Sequence, residues 1–437
     1  MISRVGVIVQ YTPTKPGTMS FPKNSKLTRT IRRAAAASLL AIAAAGIAGC
    51  EHLAPVEAPY IGPLKQGSFQ SGWSVDLNLA KGDSITRVDV RDQLVYIYSA
   101  KKRVTAYDRK SGKLKFGMDV PSPVDTLMPL VELPDMLVFP NSTELEVFTK
   151  DGFFKKSVPL PSPLRSNAAG EGTTVFFGAA GARGGLVEAY DLARPYAPQK
   201  WEYLTYDTQP VTAGPAVSTG IIYSGSEGGE VDAVSTNESR AQVWNTDHGS
   251  FLAAGAITAD LQVDDSGLYI ASHDSKMYCV NKTTGKLKWQ YFASAPLYDS
   301  PVLTSDTVYQ FVPGKGMAAL DKNTGAYDRS PKWIYPTATQ FLSQDEKYAY
   351  LLEPRTDADK PELGTANVII AVDKQTGVKA FESKRTDFTV FGVNRKDGAI
   401  FAAFADGRVM TILPVLKAGT IGELVMAPVG PDVSEKL

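Results

Sequence analysis

Cysteine and histidine, the side chains most readily tuned to nucleophilic and acid–base work near neutral pH, are few in this sequence. There are two cysteines, Cys50 and Cys279, and three histidines, His52, His248 and His273. No His-x-x-x-His pair offers the spacing of a zinc site. No Gly-x-Ser-x-Gly elbow is present to seat a nucleophilic serine. His248 and His273 fall in the turn segments Asp247-His248-Gly249 and His273-Asp274-Ser275, where a solvated side chain is expected. Asp357-Ala-Asp359 starts like a calcium loop but lacks the following glycine and the distal glutamate. The glycine-rich run Gly178 to Gly185 precedes no helix, so it lacks the dipole that helps such loops hold phosphate, and it is expected to be a long hairpin loop. No catalytic residue, metal site or cofactor site is therefore assigned. Cys279 sits in the apolar run Met277-Tyr278-Cys279-Val280 and is expected to be a small buried hydrophobe.

Cys50 has a different setting. Lys26, Arg29, Arg32 and Arg33 precede an alanine-rich apolar run from Ala34 to Ala48, which closes on Gly49-Cys50. The run is about as long as a signal-peptide core and shorter than a comfortable membrane span. It resembles the bacterial lipobox, and that resemblance implies that Cys50 is lipidated and becomes the first mature residue. Several acyl chains on one residue would hold the protein at a membrane face without a spanning helix. Residues 1–49 are then a lipoprotein signal peptide, with Met19 a candidate for the true start. Glu51 after the cysteine is compatible, by the same resemblance, with sorting to the outer membrane. Residues 50–70, rich in Pro, Glu and Gly and without a period, are expected to form a flexible tether. The chain's 46 basic and 46 acidic residues balance, which gives no footprint for a nucleic-acid partner.

After the tether the texture is all-β: short β-branched and aromatic runs separated by Gly, Asp, Asn and Ser. The runs repeat. Ala106-Tyr-Asp108-Arg-Lys-Ser-Gly112-Lys-Leu-Lys-Phe116 is echoed by Cys279-Val-Asn281-Lys-Thr-Thr-Gly285-Lys-Leu-Lys-Trp289. Ala319-Leu-Asp321 to Gly325 and Ala371-Val-Asp373 to Gly377 repeat it again, and weaker copies lead to Trp201 and Trp244. In each copy the Asp or Asn can cap a turn, Thr or Ser can add a local hydrogen bond, and Gly supplies positive φ. Lys and Arg in these segments, such as Lys101-Lys102-Arg103 and Lys282, are expected to solvate loop tips.

The strands leading into the turns begin near Val104, Leu145, Val187, Val231, Met277, Met317, Ile369 and Val409, at intervals of 40 to 52 residues. That interval suits four short strands, one propeller blade. The longest holds a polar insertion, Glu353 to Pro361. The eighth unit lacks an aromatic return strand, and the missing piece stands at the other end of the repeats as Ser71-Gly-Trp73-Ser-Val-Asp-Leu77. The expectation is an eight-bladed β-propeller of four-stranded blades over residues 71–418, closed by its N-terminal strand. Closure removes open sheet edges at the ends of the array. Residues 419–437 form a tail in which Leu424-Val-Met426 could add a strand.

The motif Ala-x-Asp-x-x-Thr-Gly-x-x-x-Trp resembles the pyrroloquinoline-quinone (PQQ)-like propeller repeat. Eight such blades behind a lipobox are similar to the BamB family of outer-membrane assembly lipoproteins. The resemblance implies a non-enzymatic, protein-binding scaffold on the periplasmic face of the outer membrane. Its partner would be the BamA-like β-barrel assembly protein, and its work the assembly and insertion of β-barrel proteins. No contact residue transfers, because the loops match no placeable motif. The other branch of the repeat family contains PQQ-dependent dehydrogenases, which resemble one another in an adjacent cysteine pair that is absent here. A periplasmic quinone-dependent dehydrogenase and an envelope carbohydrate- or cell-wall-binding propeller remain the alternatives.

Overall fold

The computed structural model describes residues 67–122, 126–181, 184–246, 249–323, 327–356 and 364–416. All lie in the compact unit Leu53–Leu437. The named elements are all strands, and they form eight antiparallel sheets of four strands each. Seven sheets are consecutive in sequence, from Ile85–Val90 to Lys379–Glu382. The eighth combines Val390–Gly392, Ile400–Ala403 and Arg408–Leu416 with the N-terminal strand Gly67–Asp76. The expected eight-bladed propeller and its closing strand are both present.

Blades 1 to 7 each run through four strands, A to D, in chain order, and in blade 8 the N-terminal strand serves as strand D. The A strands of neighbouring blades touch, as Ile85–Val90 does Val390–Gly392 and Leu164–Glu171 does Ala216–Ser218. Bonds between A-strand regions of non-adjacent blades place these strands at the ring axis: Asn167 donates to Asp260 (2.7 Å) and Arg395 to Gln262 (3.3 Å). Because neighbouring strands are antiparallel, the A–B and C–D turns share one face of the ring. The B–C turns and the D–A connections between blades share the other.

The core explains why simple hydrophobic alternation fails in the middle strands. Lys276–Val280 and Glu144–Phe148 are buried along nearly their whole length. Both faces of each blade are covered by its neighbours, as with the buried strands of layered sheets. The buried apolar residues form eight clusters, one at each seam between blades. At the closing seam Val409, Phe401 and Ala403 of blade 8 pack on Val95, Ile97 and Tyr107 of blade 1.

The N-terminal strand pairs Ser71 with Ile412 and Val75 with Val409, and a bulge between Ser71 and Ser74 accommodates Gly72 and Trp73. At Gly72 a Cβ would stand 2.2 Å from the Thr411 hydroxyl oxygen, so a side chain at that bulge would have to displace Thr411. The strand starts at Gly67, so residues 67–70, expected in the tether, belong to the propeller. Their sequence, Gly-Ser-Phe-Gln, hides the strand because only Phe69 is a core residue.

Two further expectations are corrected. The glycine-rich segment is not a long loop: Thr174–Gly181 and Gly184–Asp191 are paired strands, with Gly181 opposite Gly184. Its glycines permit close approach of the following D–A connection. A Cβ on Gly178 would lie 2.2 Å from the Val211 carbonyl oxygen, and one on Gly185 would lie 1.9 Å from that of Gln209. The polar insertion in blade 7 begins as strand, since Tyr348–Thr356 continues to a Thr356–Thr365 pair. Its acidic pair Asp357 and Asp359 lies outside the described residues, as do residues 417–437.

Candidate functional site

The repeated motif makes turns of one design. The Asp108 carboxylate accepts from the Ser111 hydroxyl (2.7 Å) and amide (2.9 Å), and the Gly112 amide donates to the Asp108 carbonyl. Those Ser111 bonds hold the Asp108 carboxyl below its usual range. Asn281 and Asp373 cap their turns in the same way.

Aromatic residues near the outer strands lock these turns to the preceding blade. The Trp73 indole donates to the Arg109 carbonyl (3.0 Å), Trp244 to that of Lys282 (2.9 Å) and Trp333 to that of Lys374 (2.9 Å). In each case the acceptor follows the capping residue of the next blade. The rings lie over the turn glycines: a Cβ on Gly112, Gly285 or Gly377 would come within 2.4 to 2.6 Å of Trp73, Trp244 or Trp333. Trp289 is held differently, beneath the Arg329 guanidinium at 5.0 Å from the ring centroid.

In blades 1, 6 and 7 the basic residue after the cap is a second connection to the preceding blade. Arg109, 8% exposed, donates to Asn394 (2.7 Å) and Asp397 (2.6 Å) in the A–B turn of blade 8. Lys322 reaches Asp264 of blade 5, and Lys374 approaches Asp306 of blade 6 at 3.7 Å. Lys282, expected at a solvated tip, is half-buried and pairs with Asp265 of its own blade (3.2 Å). Lys101 and Arg103 are exposed, as expected of tip residues, Lys101 donating to the Lys81 carbonyl (2.9 Å) and Arg103 pairing with Asp119 (3.0 Å), while the half-buried Lys102 donates to the Ser122 carbonyl (2.7 Å).

The remaining sequence candidates are structural. Cys279 is buried and free, and burial pushes its thiol up to about 12. A thiol so protonated is a poor nucleophile. Thiol reagents should therefore leave Cys279 unmodified in the folded protein and label it once the chain is denatured; mass spectrometry of the labelled peptide checks this. His273 is half-buried rather than solvated, with Nε2 2.8 Å from the Thr258 hydroxyl and its ring edge on Tyr298. Cys50, His52 and His248 lie outside the described residues.

Sequence reading missed a row of buried acids on the C strands of blades 2 to 4. Glu146, Glu188 and Asp232 are each at most 1% exposed. Ser157 donates to Glu146 (2.5 Å), and the Ser250 hydroxyl lies 2.7 Å from Asp232 and 2.8 Å from Glu230. Burial pushes Glu146 up to about 7, against Ser157 and with help from Glu144. Burial pushes Asp232 to about 7 as well, against Ser250 and with Glu230 and Asp207 adding to it. The only sequence signal was an acid inside an otherwise apolar strand, as in Glu144-Leu-Glu146-Val-Phe148.

These shifts set a pH dependence. A carboxyl whose folded pKa is raised contributes stability that is complete below its unfolded pKa and is lost as pH rises through the folded value. For Glu146 and Asp232 the loss runs from about pH 4 to just above pH 7. The double variant E146Q/D232N should match the parent at pH 4 and exceed it at pH 8, by on the order of 2 kcal/mol. Thermal melts across that range would show the difference, and parallel curves would refute it.

The face formed by B–C turns and D–A connections carries an exposed apolar line across blades 3 to 6. Tyr206 is 66% exposed, Leu252 61%, Phe292 63% and Tyr298 55%. Close contacts tie the turns and connections that carry these residues: Gly228 abuts Asp207, Gly229 abuts Ala253, Gly255 abuts Asp274, and Tyr298 meets His273. Acidic residues flank it. Asp207 is bonded to Ser226, and Asp274 accepts from the Ala254 amide (3.0 Å) and the Tyr278 hydroxyl. Apolar side chains in line with a polar border are the composition of a protein-binding patch.

The sequence matches the family described as "Outer membrane protein assembly factor BamB" over residues 183–326 and 227–382, the segment that holds the apolar line. No curated protein matches it. Among solved structures, BamB from Moraxella catarrhalis is similar with a TM-score of 0.57 at 17% identity, covering 79% of this chain and 97% of that one. The computationally designed Ika8 protein is similar with a TM-score of 0.55 at 15% identity, covering 75% of this chain and 96% of that one. At such identities the structural likeness speaks to the fold. Repeat, ring and family match together make this chain a BamB-like PQQ-repeat propeller.

Proposed function

We propose that this protein is a lipid-anchored scaffold of the outer-membrane β-barrel assembly machinery, held at the periplasmic face through Cys50. It would bind the BamA-like assembly protein and orient it during barrel insertion, with no chemistry of its own. The observation that carries this reading is the family match over residues 183–382, because the same blades bear the apolar line Tyr206, Leu252, Phe292 and Tyr298. An aromatic line on a stiff ring suits a docking role: the side chains are presented by turns that the seam contacts hold in place, so little ordering is required on binding.

The test is affinity capture of the tagged protein from detergent-solubilised envelopes. The barrel-assembly protein should be recovered, and Y206S/L252S/F292S should reduce its recovery at least tenfold, since aromatic anchors dominate such interfaces. Consistent absence of that protein from the captured material would overturn the proposal. Recovery of cell-wall glycan in its place would favour a carbohydrate-binding propeller.

A further inference from the structure

The ring's two faces differ in what they offer, and the chain ends mark one of them. Gly67 pairs with Leu416 where the other seven blades have their C–D turns, so both ends of the described chain leave on the C–D face. The neighbouring turns, in blades 1 and 2, are rich in lysine. Segments 108–116 and 149–156 hold seven basic residues against two acidic ones, Asp108 and Asp151. Arg109 and Lys150 are paired with Asp397 and Glu132. Lys110, Lys113 and Lys155 are exposed, and among the described residues none of the three forms an ion pair.

Between these lysines stand two exposed aromatics. Phe153 is 71% exposed and Phe154 51% exposed. They are presented by a rigid turn, because Gly152 is packed beneath the Phe116 ring of blade 1 and Phe154 makes an edge contact with Phe148. Aromatic side chains at a tip flanked by lysines match a bilayer interface: the rings enter the headgroup layer while the ammonium groups meet phosphate.

We infer that the C–D turns of blades 1 and 2, through Lys110, Lys113, Lys155, Phe153 and Phe154, form a docking surface for anionic phospholipid headgroups. The occupant is a bilayer because the chain leaves the ring on this face, next to blade 1, and because the charge complements lipid phosphate. That a bilayer lies within reach rests on the Cys50 anchor proposed above. The docking would set the ring's orientation, with its C–D face toward the membrane and the apolar line of the B–C face turned away from it. Each lysine near an anionic surface strengthens binding severalfold, and salt screens the effect within about 10 Å.

The experiment uses the full protein purified from envelopes and mixed with vesicles of phosphatidylcholine alone or with phosphatidylglycerol. Co-flotation with the neutral vesicles reads the anchor separately. A fluorescent probe on F153C, with L252C as the opposite-face control, reads the docking through quenching by headgroup nitroxides; buried Cys279 takes no label. The 153 probe should be quenched in the anionic vesicles and the 252 probe spared. K110E/K113E/K155E should abolish the quenching while leaving the thermal melt unchanged. The proposal is overturned if the 153 probe is not quenched, if both probes are quenched alike, or if charge reversal has no effect. Failure to float with neutral vesicles would sink the anchor, while quenching in the anionic vesicles would still decide the surface.

Discussion

Replacing Trp73 by alanine should lower the stability of the whole ring by about 3 kcal/mol. Trp73 lies in the N-terminal strand that completes blade 8, yet its indole bonds the Arg109 carbonyl in blade 1 and its ring stacks on Tyr107 at 6.2 Å. It packs over Gly112 and borders the cluster that joins blades 8 and 1. The substitution leaves a void at that seam and an unpaired carbonyl. In a repeat array, stability sums the units and the interfaces between neighbours. Closure adds one interface that an open array lacks, and loosening it exposes two blade faces at once. Chemical denaturation should therefore show a lower midpoint. The conservative W73F should recover the packing but not the hydrogen bond, and so fall between parent and alanine. A midpoint unchanged in W73A would mean that this seam contributes little.

Gly285→Ala should cost about 2–3 kcal/mol, well above the ~1 kcal/mol expected of Gly172→Ala. Both glycines sit in the left-handed region, at φ +70° and +60°. Both substitutions therefore incur the same backbone strain. They differ in surroundings. A Cβ on Gly285 would stand 2.6 Å from the Trp244 ring, whereas one on Gly172 meets nothing within 4 Å. The difference between the two variants isolates the packing of tryptophan on turn. Trp244 cannot retreat without breaking its bond to the Lys282 carbonyl. Equal losses in the two variants would show that the indole yields freely and that the turn is not held by it.

The ring was legible in the sequence because its parts are local. The cap, the glycine and the returning aromatic lie within about a dozen residues, and local chemistry dictates each. Closure was legible because the eighth unit lacked a piece that Ser71 to Leu77 could supply. What stayed hidden depends on the neighbouring blade. Nothing around Gly178 or Gly185 says that the backbone at Val211 and Gln209 will press against them. Arg109 looks like a tip residue until the blade beside it supplies Asp397, and Lys282 until the A–B turn of its own blade supplies Asp265. His273 reads as a turn histidine because Thr258 and Tyr298 lie in separate connections. The buried acids Glu146 and Asp232 were invisible for a related reason: their serine partners stand on the next strand, at positions no periodicity marks. The candidate binding surface was the least legible. Tyr206, Leu252, Phe292 and Tyr298 are scattered in sequence, and only the ring brings them into line.

The most direct test of ring closure is amide hydrogen exchange of the N-terminal strand, resolved by peptide mass spectrometry. Gly67–Asp76 is paired along Arg408–Leu416 and buried at Phe69. Amides bonded across that pair should exchange only when both strands open, so the two segments should lose protection together, as slowly as the core strands of blade 5. Exchange of residues 68–76 at the rate of an unstructured segment, while 408–415 stay protected, would contradict the closed ring.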